Sequence, residues 1–210
     1  GAEDISRGLA SCCEQTARFA ASEGKPVAIA EFGMQGGFGS KGAQYRVSPK
    51  WFVDTMPDMI ATGKDGQPRS FGSRRHYSFA HQGYRRECAR ITRLVAGRFG
   101  THPAVIGWQT DNEYGCHDTT ISYGAADLVA FRDWLAQRYQ SADALNRSWG
   151  NVFWSMQYRG FDEVKLPNLT VTEANPAHWM DYRRFASRMV AEFNQLQVDI
   201  LRELSPGRGI

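Results

Sequence analysis

Thr110-Asp111-Asn112-Glu113-Tyr114-Gly115 follows directly on the apolar run Ala104-Val105-Ile106-Gly107-Trp108. A carboxylate with an amide beside it, set at the carboxyl end of a short buried strand, stands where an α/β barrel carries out its chemistry. The chemistry such a group suits is acid–base cleavage of a glycosidic bond. That reaction uses two carboxyl groups, one to protonate the leaving oxygen and one to act as nucleophile or to activate water. Glu113 is the candidate acid/base; partial burial among aromatics is the usual means of raising such a pKa. Asn112 is placed to hydrogen-bond a sugar hydroxyl, and Trp108 and Trp154 offer faces for stacking on a sugar. On spacing alone, Glu113 serves equally well as a helix cap or an ion-pair residue.

A second strand-end acid is Glu31, after the buried-strand pattern Pro26-Val27-Ala28-Ile29-Ala30. The stretch after it holds five glycines between Gly33 and Gly42, and Gly37-Phe38-Gly39-Ser40-Lys41-Gly42 matches the letters of a dinucleotide fingerprint. A nucleotide site needs a helix to start there, and Val47-Ser48-Pro49 follows too soon, so a loop is expected. Phe71-Gly72-Ser73-Arg74-Arg75-His76-Tyr77 suits a polar wall for a hydroxyl-rich or anionic ligand, or an ordinary solvated loop. Cys116-His117-Asp118 invites a metal, but three consecutive residues do not readily converge on one ion and no second ligand cluster follows. No metal and no cofactor are expected.

The elements that must position these groups are written in the apolar spacing. Residues 4–23 carry a loose helical period, and Cys88, Ile91, Leu94, Val95 and Phe99 trace one helical face that stops at Gly100. A strand at 104–109 comes next, then a loop, then a helix marked by Leu128, Phe131, Leu135 and Tyr139. Ser141 is an N-cap for a short helix with Leu145 and Trp149, broken at Gly150. Asn175-Pro176 opens a long helix whose core stripe runs Tyr182, Phe185, Met189, Phe193, Leu196, Ile200, Leu204 before Pro206-Gly207 closes it. Gly209-Ile210 stands where a further strand is expected, and this alternation builds parallel sheets.

At 210 residues, 42% hydrophobic and 22% charged, the chain reads as globular but short of the roughly 250 residues of a full barrel. A net charge of +3 on scattered arginines gives no nucleic-acid footprint. No apolar run of about 18 residues is present to span a bilayer, and the acidic start Gly1-Ala2-Glu3-Asp4 is unlike a signal peptide, so a cytoplasmic protein is expected. The four cysteines have neither metal spacing nor a disulfide framework, and reduced thiols are expected.

From Pro49 to about Gly207 the sequence closely resembles the β-galactosidases of glycoside hydrolase family 42. The resemblance is carried by Pro49-Lys50-Trp51, Met56-Pro57-Asp58-Met59, the 71–77 stretch and above all the run from Gly107 to Thr119. Leu145-Asn146-Arg147-Ser148-Trp149-Gly150, Phe153-Trp154-Ser155 and Asp181-Tyr182-Arg183-Arg184-Phe185 continue it. It implies a partial (β/α)8 barrel, strands about 2–4 with their helices, and retaining cleavage of terminal β-galactosides. Glu113 is then the acid/base on the fourth strand, Asn112 and Arg74 contact the sugar, and Trp154 lines the pocket. The β-galactoside is the one partner implied, and a homo-oligomer is left open for the full-length enzyme.

Three departures from the family pattern bear on expectation. Many members carry a four-cysteine zinc cluster, and the corresponding positions here are Ser78, Ser122, Gly124 and Asp127. The nucleophilic glutamate of the family lies on the seventh strand, so the resemblance implies a fragment without it, with Glu31 as the in-chain substitute candidate. Residues 1–48 match poorly and are expected to form a separate helix–strand–glycine-loop segment ahead of a glycosidase domain at 49–210; at Ala28 they lack a sugar-contacting arginine. The alternative to an enzyme is a non-catalytic carbohydrate-binding remnant that keeps Arg74, Asn112 and Trp154.

Overall fold

A computed structural model describes residues 57–70, 77–116 and 119–210, together with Gln15, Arg18, Ser22 and the segment Val27–Ile29. The three described residues of the first predicted helix are helical. Strand β1 (Val27–Ile29) is followed by helix α1 (Gln82–Phe99), strand β2 (Val105–Trp108), α2 (Ala125–Tyr139), α3 (Ala142–Trp149) and α4 (Pro176–Leu204). β1 and β2 pair in parallel, Val27 opposite Val105 and Ile29 opposite Trp108, with an irregularity between. Gly107 makes a further parallel bridge to Gly209, and the Trp108 N–H donates to the Gly209 carbonyl at 2.9 Å. Where a further strand is expected, Gly209 makes this single bridge and no further strand is formed among the described residues. Parallel pairs require long crossovers, which the intervening helices supply.

The chain divides into two compact units, one of Gly1–Thr55, Gly83–Tyr114 and Ala191–Ile210, the other of Met56–Gln82 and Gly115–Val190. In the first, the predicted face of α1 is buried: Ile91, Val95, Ala96 and Phe99 pack with Val105, Trp108 and Leu201. Leu94, which the periodicity also placed on that face, is 49% exposed. Gly100 is a glycine because nothing larger fits. A Cβ there would stand 2.2 Å from the Leu204 carbonyl oxygen and 2.5 Å from that of Ala96. The Ser205 hydroxyl closes this corner, donating to the Gly100 carbonyl at 2.7 Å and accepting from the Trp108 indole N–H at 2.7 Å.

The second unit is built on aromatic packing. Phe131, Leu135, Leu145, Trp149, Val164, Tyr182 and Phe185 form its core, and full burial of such side chains stabilises by about 1.5–3 kcal/mol each. Helix ends follow the sequence signals. Ser141 accepts from the Ala144 N–H, Gly150 ends α3 at φ 67°, and the Asn175 side chain accepts from the Ala177 N–H at 2.9 Å. Beneath them Asp181 is buried; burial opposes its charge, but hydrogen bonds from Tyr139, Trp149 and Arg184 outweigh this and hold its carboxyl below the usual range.

His178 lies flat between Phe131, at 5.8 Å, and Trp149, at 4.5 Å. Burial pulls its pKa down to about 4. The unfolded imidazole binds a proton below about 6.5 while the folded one does not, so this stability is complete above that pH and lost as pH falls from 6.5 towards 4. The slope is up to about 1.4 kcal/mol per pH unit. Denaturant unfolding at pH 7 and at pH 4.5 is expected to show a larger acid loss in the wild type than in His178→Phe, and equal losses would contradict it.

Candidate active site

Beyond Trp108 the backbone leaves β2 and turns over five residues. The Asn112 N–H donates to the Asp111 carboxylate at 2.7 Å, and the Gln109 side-chain amide donates to the Asp111 carbonyl at 3.1 Å. Glu113 follows in the left-handed region at φ 49°. For a residue with a Cβ this conformation costs about 1–2 kcal/mol, and it persists only where the surroundings enforce it. Asn112 is half-buried and Glu113 exposed. An acid and an amide thus stand side by side just past the carboxyl end of a parallel strand.

The ends of this turn are tied down by α4. Thr110 Oγ1 donates to Asn194 Oδ1 at 2.6 Å, and the Tyr114 hydroxyl donates to the same oxygen at 3.1 Å. Gln197 Nε2 donates to the Tyr114 hydroxyl at 3.2 Å, and the Tyr114 ring meets Phe193 edge-on at 6.4 Å. Sequence periodicity treated this face of α4 as a plain core stripe. The missed signal is Gln197, a buried amide four residues after Phe193 on that apolar face.

Trp108 is not a sugar platform. It is buried in the core of the first unit with its indole N–H engaged by Ser205, because the strand turns that side chain inward. Trp154, in the second unit, is the opposite case: it is 80% exposed, sits at φ 59° in the turn Phe153–Ser155, and meets the Phe153 ring at 5.1 Å. Arg74 and Glu31, and with them His117, Asp118 and the glycine-rich 37–42 stretch, lie outside the described residues.

Ser78 comes together with Ser122, Gly124 and Asp127, more than 40 residues further along the chain, in the second unit. Asp127 accepts from the Ser78 hydroxyl at 2.8 Å, the Ser122 hydroxyl at 2.6 Å and the Gly124 N–H at 3.1 Å. The Ser122 and Ser78 hydroxyls in turn accept from the Thr62 and Ala80 N–H groups, each at 3.1 Å. Burial pushes the Asp127 carboxyl up in spite of these donors. A structural zinc takes thiolate or imidazole ligands. Two hydroxyls and one carboxylate whose oxygens already accept hydrogen bonds do not fit it. Among the described residues, no group of three or more His, Cys, Asp or Glu side chains is arranged to hold a metal ion.

A strand-end carboxylate with a neighbouring amide thus lies beyond β2, on parallel strands joined through helices, and sequence comparison gives the family. The sequence model of the glycoside hydrolase 42 family, described as beta-galactosidase, matches residues 43–210, and the chain belongs to that family. A beta-galactosidase of Thermus thermophilus is 53% identical over 160 residues, 76% of this chain and 25% of the relative. The crystal structure of beta-galactosidase from the psychrophilic Marinomonas ef1 superposes with a TM-score of 0.84 at 53% identity, covering 93% of this chain and 28% of that one. The beta-galactosidase of the Antarctic haloarchaeon Halorubrum lacusprofundi gives a TM-score of 0.73 at 47% identity, over 77% of this chain and 24% of its own. The chain thus spans about a quarter of the length of the relatives it matches. No described helix is long and apolar enough to cross a membrane.

Proposed function

We propose that the chain carries the acid/base half of a retaining β-galactosidase centre, on part of a (β/α)8 barrel in which β1, β2 and the segment at Gly209 are consecutive strands. The observation that carries this reading is the Asn112-Glu113 pair beyond the end of β2 in a chain of the β-galactosidase family. In the first step the Glu113 carboxyl gives its proton to the glycosidic oxygen while a second carboxylate attacks the anomeric carbon and the aglycone leaves. In the second step the Glu113 carboxylate takes a proton from water, which displaces the enzyme carboxylate and restores the β configuration.

Asn112 and Arg74 hold galactose hydroxyls, and Trp154 lines the pocket. Within this chain Glu31, two residues beyond β1, is the candidate for the second carboxylate. The glycosidase domain proper is residues 49–210, to which the 1–48 segment adds β1, and the protein works in the cytoplasm.

The test is the stereochemistry of turnover. The intact protein acting on nitrophenyl β-D-galactoside is expected to release β-galactose first, read by proton NMR before mutarotation. Release of the α anomer, or galactose binding without turnover, as a carbohydrate-binding remnant would give, contradicts the proposal.

A further inference from the structure

We infer that Asn194 is a positioning residue for Glu113: one side-chain oxygen on α4 clamps both ends of the turn that presents the acid. The inference rests on the acid/base reading of Glu113. Thr110 and Tyr114 bracket Asp111, Asn112 and Glu113, and both hydroxyls donate to Asn194 Oδ1. Gln197 Nε2, buried one turn further along α4, donates to the Tyr114 oxygen, which leaves that phenol proton for Asn194. Donation therefore runs in one direction, from Gln197 through Tyr114 to Asn194, and Thr110 joins at the same acceptor.

The clamp does more than bury polar groups. A five-residue turn with its ends joined through one atom has few backbone states left to it. Glu113 occupies a left-handed conformation that a residue with a Cβ avoids when free to do so. Removing the acceptor frees both ends together and lets the acid swing away from the glycosidic oxygen. Misplacing a catalytic group by about 1 Å costs on the order of 100-fold.

Proton donation matters for a poor leaving group and hardly at all for a good one, so the leaving group reports on the position of the acid. In the intact protein, Asn194→Ala is expected to lower kcat/KM for methyl β-D-galactoside by about 10–100-fold. For 2,4-dinitrophenyl β-D-galactoside the change is expected to stay within about threefold, because that phenolate departs unprotonated. Asn194→Asp, which keeps an acceptor at that place, is expected to restore most of the loss. Thr110→Val, which removes one donor at nearly constant shape, is expected to show the same split on a smaller scale should Asn194→Ala fail to fold.

Equal losses on both substrates, or none, overturn the inference. Glu113→Gln in the same assay separates the clamp from the acid/base role. If it shows the leaving-group split and the Asn194 and Thr110 variants do not, the clamp alone is wrong. If Glu113→Gln leaves both substrates untouched, the acid/base reading falls and the clamp with it.

Discussion

Glu113→Gln in the intact protein is expected to lower kcat/KM for a β-galactoside with a poor leaving group by about 10²–10⁴-fold, the usual range for a positioned acid or base. Glutamine has nearly the shape of the native side chain, keeps one carbonyl acceptor and leaves the 110–114 turn its bonds to Asn194. What it lacks is a proton to give the departing oxygen and a basic oxygen to take one from water. Both proposed steps then lose their catalyst, while sugar binding through the proposed contacts of Asn112, Arg74 and Trp154 is expected to stay within about threefold, because a hydroxyl contact does not depend on the acid. Steady-state kinetics with an alkyl galactoside, set beside galactose affinity by calorimetry, gives both numbers. A loss of activity matched by an equal loss of affinity would make Glu113 a binding residue instead.

Asp127→Ala is expected to destabilise the protein by about 3 kcal/mol, because three donors lose one shared acceptor and each buried unpaired group costs about 1–3 kcal/mol. The donors come from Ser78, Ser122 and Gly124, and through Ser122 the cluster also holds the Thr62 N–H. The Tyr182 hydroxyl donates to the Ser122 carbonyl, so the aromatic core is joined to the same point. Asp127→Asn keeps an acceptor for this network and removes a buried charge, so its cost is expected to be below about 1 kcal/mol.

The pH dependence of Asp127 runs against that of His178. Its folded pKa is raised by burial, so its contribution is present at low pH and is lost as pH rises through that folded value. Urea unfolding of the wild type and both variants measures the ranking, and an Asp127→Ala cost below about 1 kcal/mol would contradict it.

What could be read in the residues was local. Gly100 stops α1 because no side chain fits between two carbonyl oxygens, Ser141 and Asn175 cap as their types allow, and of the predicted stripe Tyr182, Phe185, Phe193 and Ile200 are buried while Met189 and Leu196 are half-buried. The strand pattern at 104–109 was legible too, and with it Asn112-Glu113 at its end. The direction of Trp108 was not: in a four-residue strand, alternation does not distinguish a core face from a ligand face.

The Asp127 cluster and the Asn194 clamp were hidden for a different reason. Their members are 49 and 84 residues apart, as Ser78 with Asp127 and Thr110 with Asn194, and no periodicity reports contacts made by folding over such distances. Family register had grouped Ser78, Ser122, Gly124 and Asp127 by what they lack. Folding groups them by hydrogen bonds.

The most direct measurement of the central claim is a crystal structure of the intact Glu113→Gln protein with an unhydrolysed β-galactoside. The residue 113 side chain is expected at about 3 Å from the glycosidic oxygen. A second carboxylate is expected across the anomeric carbon, about 5–5.5 Å from the residue 113 carboxamide. A sugar bound away from residue 113, or a second carboxylate about 6.5–9.5 Å off as in an inverting enzyme, would contradict it.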